Sequence, residues 1–341
     1  MLKNNKKIII SRTDSIGDVV LTLPIAGILK HYFPNSIILF LGDKYTKDVV
    51  NCSEHINEFI DYSEIKKLDK IKQTEILKSY EADTIIHVFP NKEIALLAKQ
   101  AKIPTRIGTS HRLFHWNTCN KLVNFSRKKS PLHESQLNTK LLLPIVKNLP
   151  DFSLAELNKF TGFSKFDELN KEINNLLDCS KKNIILHPKS KGSAREWGFK
   201  NFAELINELP ENKYKIFITG TENEKEEIEK QLLSKINKQV YNLCGMMNLS
   251  QFVSFIKSCD ILIACSTGPL HIASIAGVHT IGIFPPIKPM HPNRWQPIGE
   301  KSKIFVKEKE CNDCRKTKKC ECILSISPKS ILNYCESESF D

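Results

Sequence analysis

The sequence predicts an α/β chain with parallel sheets and crossover helices, arranged as two halves. Three observations predict it. Short β-branched runs alternate with helix-like stretches along the chain. The alternation restarts in the middle, where Asn183-Ile-Ile-Leu-His-Pro188 echoes Lys7-Ile-Ile-Ile-Ser11. At 341 residues the chain is long for one domain and ample for two, and its 41% hydrophobic residues supply a core for each.

The elements follow in order. Lys7–Ser11 reads as a first strand, then a loop, then a helix over Asp18–Tyr32. Ser36–Leu41 and Thr84–Val88 are the next strands, with a helix over Glu93–Ala101. The polar, Asn/Lys-rich stretch 148–182 reads as the join, which places the halves at 1–160 and 161–341. Strands over Asn183–His187, Lys215–Thr219, Ile261–Ala264 and Thr280–Phe284 then alternate with helices over Phe199–Leu209, Glu222–Ile236 and Ser250–Ser258. Each half reads as Rossmann-like. Two facing halves of this kind make a cleft, with function on the loops at the strand ends.

Charge is uneven. The formal net charge is +12, from 50 basic and 38 acidic residues. Between Lys99 and Lys147 there are ten Lys or Arg and one acid, Glu134; from Lys301 to Cys320 there are eight basic residues and three acidic. Such fields favour an anionic partner, although a Lys-rich solvated face explains part of the total. No apolar run approaches the roughly 20 residues that span a bilayer. The start, Met-Leu-Lys-Asn-Asn-Lys-Lys, does not read as a signal peptide, so a cytoplasmic protein is expected.

The most informative stretch is Ile261-Leu-Ile-Ala-Cys-Ser-Thr-Gly-Pro-Leu-His271. It reads as a buried strand, a Ser266-Thr267-Gly268 turn and a helix opening with Pro269, a residue favoured in the first helical turn. Free N–H groups and the positive dipole end make such a helix start an anion site. The loop His187-Pro-Lys-Ser-Lys-Gly-Ser-Ala-Arg-Glu-Trp-Gly198 gathers Lys189, Ser190, Lys191, Ser193 and Arg195 around Gly192, a phosphate cradle rather than an ordinary basic loop. Trp197 reads as the packing residue that seats this loop. In the first half, Ser11-Arg-Thr-Asp-Ser-Ile-Gly-Asp18 is neither a dinucleotide fingerprint nor a P-loop. Gly17 permits close approach there. Asp18 reads as a helix N-cap or as a general base, with Asp14 a second candidate. Glu222 and Glu224 read as ribose acceptors or as helix-start charges. Gly245, Met247 and Leu249 offer an apolar slot with backbone polar groups, suited to an adenine ring, although methionines are more often core filler.

Taken together, these residues resemble glycosyltransferase family 9, the bacterial ADP-heptose:lipopolysaccharide heptosyltransferases. The matching residues are Arg12 with Gly17-Asp18-Val-Val-Leu-Thr-Leu-Pro24, His187-Pro with Gly-Ser-Ala-Arg-Glu-Trp197, Asn201-Phe-Ala-Glu204, Cys244-Gly245, Ser266-Thr-Gly-Pro-Leu-His271 and Arg294-Trp295-Gln-Pro297. The likeness runs to about Cys322, with little to match between Gly42 and Leu149. It implies a GT-B architecture, two facing Rossmann-like domains with the acceptor on the first and the nucleotide sugar on the second. It implies inverting transfer of a heptose from an ADP-sugar without a catalytic cofactor. Asp18 would be the base. Ser190, Lys191, Arg195, Ser266, Thr267, Gly268 and His271 would hold the donor phosphates. Glu222 or Glu224 would hold the ribose, and the Gly245–Leu249 backbone the adenine. Ser266 stands where some members carry Asp. Arg12, Gly17, Arg106, Arg112 and Arg127, with Lys128 and Lys129, would meet a phosphorylated or acidic lipopolysaccharide core at the inner face of the inner membrane.

Eleven cysteines, an odd number, read as thiols or metal ligands. Cys311, Cys314, Cys320 and Cys322 give CxxC, five residues, then CxC, which points to a structural zinc or iron; free buried thiols are the plainer reading, and Cys335 is a substitute ligand. Other function classes are a nucleic-acid-binding protein, an oxidoreductase, or a degenerate transferase serving as an assembly subunit. The chain lacks an aromatic-rich basic strand or recognition helix, so no nucleic-acid partner is expected. The missing glycine fingerprint counts against a nicotinamide enzyme.

Overall fold

The computed structural model describes residues 6–340 apart from 128, 129, 289, 309, 310, 312, 313, 315–319 and 339. The chain splits into two compact units, Met1–Lys165 and Phe166–Asp341. The first unit carries β1 (Lys7–Ser11), β2 (Ile37–Gly42), β3 (Glu58–Asp61), β4 (Thr84–His87), β5 (Thr105–Thr109) and β6 (Lys121–Val123). The second carries β7 (Lys182–His187), β8 (Tyr214–Ile218), β9 (Tyr241–Asn242), β10 (Ile261–Cys265), β11 (His279–Ile283) and β12 (Ser302–Phe305).

Each unit builds one six-stranded sheet. The first has the order β3-β2-β1-β4-β5-β6; the second, read from β9, has β9-β8-β7-β10-β11-β12. Every strand pairing is parallel. Both orders are that of the doubly wound dinucleotide fold, in which the chain reverses direction across the sheet after its third strand. The α/β class and the two Rossmann-like halves are as the sequence predicts.

The long apolar runs explain the central strands. Ile8 and Ile10 pack on one face of the first sheet with Ile28, Phe40 and Ile86, while Ile9 packs on the other with Leu39, Ile85 and Leu97. A parallel strand covered by helices on both faces has no solvent side, so its sequence shows no alternation. Each such isoleucine contributes about 1.5–3 kcal/mol by leaving water.

All seven expected strands are present, and five more appear: β3, β5, β6, β9 and β12. The expected helix over Asp18–Tyr32 is two helices, Ile16–Val20 and Pro24–Tyr32. Pro24 has no N–H to continue the helical ladder to the Val20 carbonyl, and the chain crosses the gap with tight turns, Thr22 N–H to the Val19 carbonyl and Leu23 N–H to the Val20 carbonyl. The helix expected over Glu222–Ile236 stops at Gln231, followed by a short 3₁₀ turn, Leu233–Lys235.

Gly27 sits where the second of these helices touches the segment at Phe160. A Cβ at this position would lie 2.1 Å from the Phe160 carbonyl oxygen. Gly27→Ala is therefore expected to destabilise the protein by about 1–3 kcal/mol despite alanine's better helix propensity, read as a lowered urea midpoint; an unchanged midpoint would contradict this packing.

Candidate functional site

In the second unit the reversal falls between the neighbouring strands β7 and β10. Open α/β sheets bind ligands in the crevice outside the strand ends at such a point. Because all strands run the same way, the loops after β7, β8, β9 and β10 leave one edge of the sheet. That edge collects every donor-side residue singled out above except His271, which lies further along the helix after β10.

After β10, Thr267 occupies the N-cap position of the helix Gly268–Ile275, with Pro269 in its first turn. Thr267 is buried, yet its hydroxyl makes no hydrogen bond to the helix or to any other described group. A threonine at this position ordinarily satisfies an N–H of its own helix. Here the hydroxyl and the first N–H groups are both left for something else. Ser266 is half-buried beside it, and His271 is buried one turn along.

After β7 the loop is tied off from within. Glu196 accepts from the Ser190 N–H and hydroxyl, both at 3.0 Å, and pairs with Lys189 at 3.0 Å. Lys189 also pairs with Glu227 at 3.1 Å. The Ser190 hydroxyl further accepts from the Gly192 N–H at 3.2 Å. Thus Ser190 and Lys189 shape the loop. Lys191, in the left-handed region at φ +50°, is exposed and makes no ion pair among the described residues. Arg195 donates to the Cys314 carbonyl at 3.5 Å. Trp197 is fully buried and donates to the Ile326 carbonyl at 2.8 Å, the seating role expected of it. His187, between the loop and β8, bonds the Thr219 hydroxyl at 3.0 Å; burial pushes its pKa down to about 4.

Beyond β8, Glu224 is buried in a capping box, accepting from the Thr221 N–H at 2.8 Å and its hydroxyl at 2.7 Å. Glu222 is exposed instead, and its carboxylate lies against Gly245: a Cβ there would fall 1.9 Å from Glu222 Oε2. Glu222 and Gly245 therefore share one patch. Met247 is half-buried next to it, and Leu249 opens the helix Leu249–Ser258.

In the first unit the corresponding reversal lies between β1 and β4. Arg12 leaves β1 and is buried. It pairs with Asp14 at 2.7 Å, with Asp18, and with Glu134 at 3.1 Å. Arg127 pairs with the same Glu134 and donates to the Val88 carbonyl at 2.9 Å. Asn138 accepts from Arg127 at 3.0 Å and donates to the Leu21 carbonyl at 3.1 Å, tying the cluster to the helix break at Pro24. Glu134 and Asn138 both sit on the helix Glu134–Thr139.

Asp18 is the third residue of the helix Ile16–Val20, whose N-cap is Ser15, so the capping role is not the one it performs. Its carboxyl is raised to about 6, first by burial and then by the Asp14 and Glu134 carboxylates, against the pull of Arg12 and Arg127. Burial alone would lower Arg12, but its three carboxylate partners hold it above its ordinary value. Carboxylates outnumber guanidinium groups three to two among these five side chains. Gly17 is half-buried next to Asp18, and the Tyr45 hydroxyl covers the loop by donating to the Asp14 carbonyl at 2.5 Å.

The remaining basic candidates separate. Arg106 lies near the start of β5 and bonds the Thr118 and Ile103 carbonyls at 2.7 and 2.5 Å, so it does not join the cluster at the strand ends. Arg112 is exposed on the loop after β5. Lys128 and Lys129 lie outside the described residues. Glu134, Asn138 and Glu196 went unnoticed as site-builders in the sequence; the signal for Glu134 was its being the only acid among ten bases.

A family model, glycosyltransferase family 9 (heptosyltransferase), matches residues 71–324. The chain belongs to glycosyltransferase family 9. A putative glycosyltransferase of Haemophilus influenzae is 26% identical over 310 residues, covering 87% of this chain and 88% of its own. Among solved structures, Escherichia coli ADP-heptose lipopolysaccharide heptosyltransferase II superposes with a TM-score of 0.76 at 18% identity, covering 97% of this chain and 98% of that one. E. coli heptosyltransferase WaaC with ADP gives 0.70 at 14% identity, covering 98% and 100%. The fold is thus the GT-B fold expected, and the protein is a glycosyltransferase. Family membership does not favour the nucleic-acid or assembly readings.

In this glycosyltransferase the four clustered cysteines are all buried. The sulfurs of Cys311, Cys314 and Cys322 lie within 4.8 Å of one another. Cys314 is lowered to about 7, chiefly by the Cys322 N–H directed at its sulfur. Cys335 is buried on the helix Pro328–Ser337, apart from this trio.

Thr267→Val removes the unpartnered hydroxyl without changing shape. The expected outcome is an unfolding midpoint that is unchanged or higher, with pyrophosphate binding weakened about 3- to 10-fold, the worth of one hydrogen bond; calorimetry checks the binding, and undiminished affinity would remove Thr267 from the anion seat.

Proposed function

We propose that this enzyme is an inverting glycosyltransferase that moves a heptose or related sugar from an ADP-sugar to a hydroxyl of a lipopolysaccharide inner-core acceptor, with Asp18 as general base. The observation that carries the reading is the state of Asp18: a carboxyl on the loop after β1, poised at about 6 by burial and neighbouring carboxylates. A base works best when its pKa lies near the working pH. Arg12 fixes its position.

The first unit is the acceptor domain in this reading and the second the donor domain. Asp18 takes the proton of the acceptor hydroxyl. The oxygen attacks the anomeric carbon from the face opposite the nucleotide, and the bond from that carbon to the diphosphate breaks. The leaving diphosphate gains charge, which Lys191, Arg195, the Thr267 hydroxyl and the N–H groups of the helix after Gly268 stabilise. Those groups supply the electrostatic work, so the mechanism requires no cofactor. Glu222 accepts from the ribose hydroxyls, and the Gly245–Leu249 backbone takes the adenine. Ser266 offers the donor sugar a neutral hydrogen bond. Glu224, held by Thr221, shapes the same loop. The ADP found with WaaC and the ADP-heptose named for heptosyltransferase II support the choice of nucleotide.

A donor screen by calorimetry tests the reading. An ADP-sugar is expected to bind with a constant between about 1 μM and 1 mM, the usual range for enzyme substrates; preference for a uridine nucleotide would overturn the adenine assignment. Asp18→Asn is expected to keep ADP affinity and lose about 10²–10⁴-fold in transfer. The sign of the pH dependence follows from the base role. Protonated Asp18 cannot accept a proton, so kcat/KM is flat above the pKa and falls as pH drops through about 6. Full activity in the Asn variant, or a profile level down to pH ~5, would remove Asp18 as the base.

The reading places the enzyme in the cytoplasm at the inner face of the inner membrane. Among the described residues no helix is long and apolar enough to cross a membrane. On the helix Leu113–Thr118, Leu113 is 87% and Trp116 63% exposed, next to exposed Arg112. Apolar side chains flanked by cations suit an anionic lipid surface. Leu113→Ser with Trp116→Ser is expected to reduce sedimentation with vesicles containing anionic lipid while leaving ADP affinity unchanged; equal sedimentation would refute this contact.

A further inference from the structure

We infer that Cys311, Cys314, Cys320 and Cys322 form a closed tetrathiolate site for one divalent transition-metal ion, and that this site positions Arg195 for the donor. The site lies outside the transfer machinery. The sulfur spacing fits a tetrahedral thiolate centre. A tetrahedral Zn–S₄ centre with bonds near 2.3 Å has edges of about 3.8 Å, and Cys314 Sγ lies 4.0 Å from Cys322 Sγ. Cys311, Cys314 and Cys322 have their sulfurs within 4.8 Å of one another; Cys320 stands outside that trio, buried two residues before Cys322, and is the fourth ligand in this inference. All four are buried within the apolar core of the second unit. A backbone N–H already faces one of the sulfurs: the Cys314 N–H points at Cys311 Sγ at 3.5 Å. Such donors stabilise sulfur once it carries charge. Buried neutral thiols have no need of them.

Binding is a ligand exchange without redox change. One M²⁺ enters, four S–H protons leave to solvent, and four M–S bonds form. With four protein ligands no coordination position stays open, which is the arrangement of a structural centre.

The reach toward Arg195 is short. The Cys314 carbonyl accepts from Arg195. Trp197, two residues on, donates to the Ile326 carbonyl, and Asn201 donates to the Leu324 carbonyl at 2.8 Å. Gly198 approaches Leu324 so closely that a Cβ would stand 3.1 Å from its side chain. Cys314, Leu324 and Ile326 are therefore the bed on which residues 195–201 rest, and the cysteines fix that bed. The Arg195 part rests on the donor-phosphate reading above; the metal part does not.

The test uses the full chain, purified without chelator. Elemental analysis is expected to find about one zinc or iron per chain, and which of the two is present is read in the same measurement. Cys314→Ser and Cys322→Ser are expected to lose it, while Cys179→Ser, at an exposed thiol elsewhere, keeps it. A metal-free wild-type protein that does not take up added Zn²⁺ or Fe²⁺, or one whose four cysteines are paired as disulfides, would overturn the site, and this reading needs no variant to fold. For positioning, stripping the metal from wild type is expected to weaken ADP binding about tenfold, as loss of a charge-assisted contact does. In an Arg195→Ala background stripping is expected to add nothing, because both changes remove one interaction. Equal weakening in both backgrounds would overturn the positioning role while leaving the metal site and the transferase reading intact.

Discussion

An all-parallel sheet whose strand order reverses once has a single place where neighbouring crossovers leave in opposite directions, and both units depend on it. The reversal separates the loops after β7 and β10 and opens a space outside their ends. Residues far apart in sequence, at 187–198, 220–222, 245 and 266–268, are then neighbours on one edge for purely topological reasons. No local motif could bring them together. The helix after β10 supplies the remaining requirement: its N-terminus is directed at that space, and the residue that would ordinarily cap it does not. The anion seat proposed above rests on that geometry.

The first unit solves a harder problem. Burying ionisable side chains such as Arg12 and Glu134 is costly unless each charge is paired and hydrogen-bonded. Arg12 does most of the pairing, with three carboxylates around one guanidinium. The excess of carboxylates has a consequence for chemistry. With three carboxylates to two guanidinium groups, and with burial disfavouring charge, the Asp18 carboxyl is raised. Arg12 and Arg127 are the counter-charges that act on the Asp18 carboxyl. Arginine suits this work because its charge does not titrate away and its fork can reach several oxygens at once.

The sequence showed the central strands because burial on both faces writes an unbroken apolar run, as in Lys7-Ile-Ile-Ile-Ser11 and Ile261-Leu-Ile-Ala264. It hid the strands that carry less of that signal. β6 exposes two of its three residues, β9 has only two, and β12 is half-open throughout. These edge strands are fixed by pairing with a neighbour and not by their own composition. The site was legible at the level of loops and blurred at the level of atoms. Ser190 read as a ligand contact and Glu224 as a ribose acceptor or a helix-start charge; their polar atoms hold the loops together, through Glu196 and Thr221. Residue type announces what a side chain can bond; only the fold decides which partner reaches it first. Arg106 illustrates the point, since its position near the start of β5 puts it at the other end of the strand from the loops.

The cysteine segment follows the same logic in reverse. Between Phe305 and Glu321 the described residues belong to no strand or α-helix. The loop after β7 relies on contacts outside the sheet. It leans on carbonyls at Cys314, Leu324 and Ile326. A support without its own hydrogen-bond ladder can hold a guanidinium to a fraction of an ångström only if something else restrains it. In the inference drawn above, four sulfur–metal bonds would do that with few residues, at the place where regular structure is missing. The same restraint would account for the gathering of these thiols inside the core: dispersed, they would pack as small apolar groups, but they would not hold the carbonyl that Arg195 faces.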